Sequence, residues 1–105
     1  MTAYPFRRDS EDALGNIIDL GSELVPGYPA SATGQTRWMN DVASVVKAVP
    51  HSRGLGVFHW EATWTARTGN GWDPADPSSG DGWENQALFG YDDRLLPATA
   101  WFRHR

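Results

Sequence analysis

The chain has 105 residues, nine basic and thirteen acidic, for a formal net charge of −4, and 40% of its residues are apolar. That length suits one small domain, and with eleven glycines added to the apolar count the composition is globular rather than disordered. The basic residues are too few and scattered for a nucleic-acid footprint, no apolar run approaches the ~20 residues that cross a bilayer, and the lack of cysteine removes disulfides, thiolate zinc sites and thiol nucleophiles.

Residues 1–30 read as a long irregular segment. Pro5, Gly15, Gly21, Pro26, Gly27 and Pro29 interrupt it too often for a helix, and five acids fall between Asp9 and Glu23. Its first dozen residues hold Arg7, Arg8 and acids but no apolar segment, which is not the pattern of a secretory signal. Loops of this length in compact domains tend to be functional.

The pattern then changes. Trp38, Val42, Val45, Val46 and Val49 recur at helical spacing, and Arg37, Asn40, Asp41, Ser44 and Lys47 take the opposite face. The spacing predicts an amphipathic helix over 31–49, with Ser31 as N-cap and Pro50 as its stop. At ~1.5 Å per residue it would be roughly 27 Å long. Residues 55–60 follow a tight turn and are mostly apolar, which predicts a strand buried on both faces as in parallel sheets. A second long loop spans 61–94, and 95–103 read as a short closing helix with Pro97 near its start. The order is loop, helix, strand, loop, helix, an α/β arrangement amounting to half of a βαβ unit. A lone buried strand leaves its edges unpaired, so the chain reads as part of a larger fold.

Six tryptophans stand out, and Trp64, Trp72 and Trp83 lie in or beside a Gly/Pro/Asp-rich stretch rather than in a periodic element. Flat apolar faces with polar rims are surfaces on which sugar rings stack. Trp60 and Glu61 close the strand at its carboxyl end, where barrel and doubly wound folds place their sites. Two readings of this point stand side by side: a stacking platform with a polar contact, or a core tryptophan beside a solvated acid. Glycoside hydrolysis needs a pair of carboxylates, and thirteen acids alone nominate none.

The segment at 54–64, G-L-G-V-F-H-W-E-A-T-W, resembles the G-L-G-V-F-Y-W-E-P-A-W strand of glycoside hydrolase family 53, the arabinogalactan endo-β-1,4-galactanases. W-E-N-Q-A-L-F at 83–89 is similar to that family's W-E-N-Q-A-L-F-D motif, and R-L-L-P at 94–97 resembles its R-A-L-P ending. T-A-Y-P-F at 2–6, N-I-I at 16–18 and G-Y-P-A at 27–30 fall in the family's order, so the resemblance covers nearly the whole chain. It implies a (β/α)8 TIM barrel of which residues 1–105 would be the C-terminal quarter. Residues 1–30 would be the loop after strand 7, 31–49 helix 7, 55–60 strand 8, 61–94 its loop and 95–103 helix 8.

The resemblance also implies roles. The family reads E-T-A-Y-P-F, with the Glu as nucleophile, where this chain has Met1; the acid/base Glu belongs to strand 4. The chain is therefore expected to lack both catalytic carboxylates and to be inactive alone. Sugar stacking carries over to Trp60, with Glu61, Trp64 and Trp83 as further substrate contacts, although His59 and Ala62 replace the family's Tyr and Pro. Bacterial members hold calcium between these two loops through D-x-D-x-H-x-N and a pair three apart. Here Asp9 and Glu11 match the first places, Ala13 stands for the His, Asn16 is displaced by one, and Asp81 and Glu84 match the pair. The implied partner is β-1,4-galactan or arabinogalactan, with export of the parent protein. The alternatives are a non-catalytic galactan-binding remnant and self-association through an exposed strand.

Overall fold

The computed structural model describes residues 1–103. Helix α1 (Ala32–Lys47) is the long regular element among them. Ser31 caps it: its backbone is extended and its hydroxyl oxygen accepts the Gly34 N–H at 3.0 Å. The helix stops at Lys47, short of the expected 49, because Pro50 forces Val49 into extended backbone (φ −60°, ψ 127°). Its length is thus about 24 Å.

The buried line along α1 is not the valine stripe of the sequence pattern. Gly34, Gln35, Met39 and Ala43 are buried, with Trp38, Val42 and Val46 half-buried beside them, while Val45 and Val49 are exposed. Two physical facts rotate the face. Gln35 enters the interior because its amide donates to the Tyr4 and Ala87 carbonyls (3.0 and 2.9 Å). Gly34 lets the first turn press against the preceding loop, since a Cβ there would lie 1.8 Å from the Pro29 carbonyl oxygen.

Residues 55–60, read above as a strand, form no regular strand. One parallel bridge joins His59 to Thr2: the Thr2 N–H donates to the Phe58 carbonyl and the Trp60 N–H to the Thr2 carbonyl, both at 2.8 Å. Thr2 is the only neighbour this segment pairs with among the described residues, so no ladder develops. Burial on both faces does not hold either. Val57 packs on the core of Met39, Leu88 and Ala98, whereas Leu55 is 94% and Phe58 81% exposed. Alternation along an extended backbone sends Phe58 to the face opposite Val57, which is open, while Leu55 lies before the part of the segment that the core covers.

The long loops are built from turns. Residues 1–30 contain one 3-10 turn, Gly21–Glu23, and 61–94 contain another, Glu84–Gln86, with antiparallel bridges at Asp73/Asp76 and Phe89/Leu95. At the end, Leu95 is in that bridge, so helical structure starts at the 3-10 turn Pro97–Thr99 and continues as helix α2 (Ala100–Arg103). Pro97 sits at the first helical position, where its missing N–H costs nothing.

Candidate functional site

The bridge between Thr2 and His59 fixes the end of the extended segment and sets Trp60 beside the 83–86 turn. Trp60 and Trp83 meet edge to face, ring centroids 6.4 Å apart at 68°. With Met1, Thr2, Ala3 and Gln86 they line an open pocket of about 490 Å3. Trp60 stays 41% exposed, so an apolar ring face is available to a ligand. His59 steadies the wall from behind. Its Nε2 is 2.8 Å from the Gln86 carbonyl, and because a carbonyl only accepts, that nitrogen carries the proton. Burial lowers the His59 pKa below the ordinary histidine value, opposed by the Gln86 hydrogen bond.

Behind the pocket, the two long loops are joined by a buried polar seam. Phe6 and Ile17 N–H groups donate to the Asn85 and Gly82 carbonyls (2.8 and 3.0 Å). Asn85 Nδ2 donates to the Arg7 and Ile18 carbonyls, both at 2.8 Å. Glu84 Oε1 accepts the Ser10 hydroxyl at 2.7 Å and the Glu11 N–H, and Asp12 Oδ2 accepts the Asp81 N–H at 2.8 Å. Tyr91 donates its hydroxyl to the Asp9 carbonyl (2.6 Å). Asp81, Glu84 and Asn85 are fully buried. Burial, with nearby Glu84, Asp12 and Glu61 adding to it, pushes the Asp81 carboxyl up to about 6 despite a hydrogen bond from the Trp83 N–H.

Of the substrate residues named from sequence, the structure brings Trp60 and Trp83 together; Glu61 and Trp64 do not line their pocket. Glu61 instead turns at positive φ (52°) and its charge acts on Asp81. Of the five proposed metal ligands, Asn16, Asp81 and Glu84 are buried, and Asn16 Oδ1, Asp81 Oδ2 and Glu84 Oε2 have no hydrogen-bond partner among the described residues. Asp9 is paired with Arg7 through both carboxylate oxygens, and Glu11 is an exposed residue that meets Glu84 through its backbone N–H. Among the described residues no three acidic or histidine side chains gather around one point. Sequence reasoning missed Gln86 as a pocket residue although it lies inside the W-E-N-Q motif. It also missed Tyr91, Ser10 and Asp12 as seam residues, since a hydroxyl or acid in a loop gives no signal without its partner. Met1, at the position where the resemblance puts a nucleophile, lines the pocket with both tryptophans.

The chain has the fold of part of a known enzyme domain. It superposes on an Ignisphaera aggregans GH53 catalytic domain with a TM-score of 0.86 at 36% identity, covering 96% of this chain and 28% of that one. It is 30% identical to the endo-β-1,4-galactanase of Bacillus subtilis, over 98% of this chain and 30% of the relative. Over a shorter stretch, 38% of this chain and 11% of the relative, it is 48% identical to an arabinogalactan endo-β-1,4-galactanase of Humicola insolens. The chain thus spans less than a third of the length of each of these three proteins. The model of glycosyl hydrolase family 53 matches residues 1–102, and the chain belongs to that family.

Proposed function

We propose that this chain forms one wall of the galactan-binding cleft of an endo-β-1,4-galactanase. In this reading residues 1–30 are the loop after strand 7 of a (β/α)8 barrel, α1 is helix 7, 55–60 are strand 8, 61–94 are its loop and the C-terminal turn and α2 are helix 8. The parallel bridge between Thr2 and His59 supports adjacent strands 7 and 8, and both long loops then lie on the face where barrel enzymes keep their sites. The observation that carries the proposal is the pocket itself. Trp60 and Trp83 stand edge to face at 68° at the carboxyl end of the extended segment, so a galactose ring stacks on one indole while the other bounds it at the side.

No carboxylate lines that pocket. Hydrolysis of a glycosidic bond by the retaining or the inverting route needs two, so the chain by itself binds galactan and does not cleave it. Incubation of the chain with β-1,4-galactan tests this. Retarded migration in a galactan-containing native gel with no reducing ends above a boiled control is expected. Release of reducing ends refutes the absence of catalysis, and unretarded migration refutes the binding wall.

A calcium ion at the seam is part of the same reading. The seam contains two fully buried carboxylates, Asp81 and Glu84, and the buried amide of Asn16, and each has one oxygen without a hydrogen-bond partner among the described residues. Buried charge of one sign calls for a counter-charge, and an all-oxygen set suits calcium, which takes six to eight such ligands. When bound, the ion would neutralise Asp81 and Glu84 and tie the loops that present Met1, Trp60 and Trp83.

A further inference from the structure

Met1 and Ala3 add apolar wall to the Trp60–Trp83 pocket, so its polar side chains besides the indoles are Thr2 and Gln86. Gln86 is all but fully buried, and its amide nitrogen is shut off from solvent. Thr2 is half-buried, and its hydroxyl is engaged on one side: Trp38 Nε1 donates to Thr2 Oγ1 at 2.8 Å. An indole N–H only donates, so the oxygen accepts there and the hydroxyl proton points elsewhere. Among the described residues that proton has no acceptor.

Both partners in this bond are held in place. The Trp38 ring stacks on Tyr4, centroids 4.6 Å apart at 22°, and the Tyr4 hydroxyl donates to the Tyr28 carbonyl at 2.6 Å. Thr2 in turn is tied to the stacking platform, because its N–H donates to the Phe58 carbonyl and its own carbonyl accepts the Trp60 N–H. One bridge thus sets the Thr2 hydroxyl and the Trp60 indole in a single frame, and branching at Cβ keeps the threonine side chain stiff.

We propose that the Thr2 hydroxyl is a substrate contact, donating its proton to an oxygen of the galactose that stacks in this pocket, and that Trp38 is the positioning residue that aims it. The proposal rests on the galactan-binding reading given above and adds a directional contact to it. Apolar walls supply contact area, whereas a few placed polar groups fix which way a ligand sits. The bond from Trp38 is formed without sugar and is kept with it, so the donor is oriented before the sugar arrives.

Calorimetric titration with a short β-1,4-galactooligosaccharide tests both roles. Thr2→Val keeps the shape and loses the hydroxyl, and is expected to weaken binding about fivefold, the worth of one hydrogen bond. Thr2→Ser keeps the hydroxyl and is expected to stay within about twofold of the parent. Trp38→Phe leaves a ring on Tyr4 but frees the hydroxyl to rotate. It should weaken binding about two- to threefold alone, and add nothing to Thr2→Val. In sugar-free Thr2→Val the Trp60 and Trp83 indole N–H signals should stay where the parent has them. Thr2→Ala repeats the comparison if Thr2→Val does not fold. Parent-like affinity of Thr2→Val, an equal loss in Thr2→Ser, or a Trp38→Phe loss that persists in the Thr2→Val background overturns the contact. Displaced Trp60 or Trp83 signals overturn it too, since Thr2 would then act through the platform alone. A folded parent chain that binds no sugar removes the galactan reading, and the contact with it.

Discussion

The two ends of the extended segment 55–60 are opposites. At its carboxyl end, around Trp60, the chain covers itself. The loops of 1–30 and 80–91 exchange backbone and side-chain hydrogen bonds through Glu84, Asn85 and Asp12, and buried groups there are polar. At its amino end Leu55 and Phe58 stand in solvent, and an apolar groove of about 570 Å3 runs between Val46, Leu55, Val57 and Phe102. Among the described residues no backbone group pairs with Val57 or His59 on the edge away from Thr2. The contrast teaches that one end of this chain is closed by polar bonds between residues far apart in sequence, whereas the other leaves apolar surface uncovered. A surface of that kind invites pairing with another chain.

The comparison breaks most sharply at Asn85. Asn85→Ala leaves the Arg7 and Ile18 carbonyls without their donor in a buried place and should cost about 3 kcal/mol. For a chain of this size that lowers the melting temperature by roughly 10–20 °C, measured by thermal denaturation; a shift of a degree or two would show that the seam does not hold the loops. A smaller effect is expected from pH. The His59 pKa is lowered by burial, so near and below ~6.5 the unfolded chain binds more protons than the folded one. Stability from His59 is therefore complete above about pH 6.5 and is lost as pH falls. Asp81, raised to about 6, titrates with the opposite sign and loses stability as pH rises, so the informative quantity is wild type minus His59→Gln. That difference should shrink on acidification from pH 7.5 to 5. The smallest effect on stability belongs to the open end. Phe58→Ser should change unfolding free energy by no more than about 0.5 kcal/mol, while light scattering shows less self-association than the parent. A large loss of stability would mean that Phe58 is covered after all.

Much of this organisation was legible in the chain itself, for identifiable reasons. Ser31 and Pro50 bound α1 because caps and prolines act locally, Trp83 stood out because it lies beside a turn-rich stretch, and Trp60 because it closes the apolar segment at its carboxyl end. Gln35 was not legible as an interior residue. Its burial depends on two carbonyls supplied by Tyr4 and Ala87, and nothing at position 35 announces them. The valine stripe misled for the same reason, since Val45 and Val49 satisfy the helical period yet have no neighbour among the described residues to pack on. Residues 55–60 read as a doubly buried strand because an apolar run records what a fold can cover, while covering needs partners on both sides, and Thr2 supplies one edge. Asp9 was named through the family resemblance, which does not register that the Arg7 guanidinium holds its carboxylate.

The central claim is that Trp60 and Trp83 together receive a β-1,4-linked galactose chain, and indole N–H resonances on titration with a short β-1,4-galactooligosaccharide test it most directly. The Trp60 and Trp83 signals should move together and saturably, while that of Trp38, stacked on Tyr4 with its Nε1 bonded to Thr2, stays in place. Six unmoved indole signals at saturating sugar, or movement confined to Trp72 in its exposed loop, would contradict it.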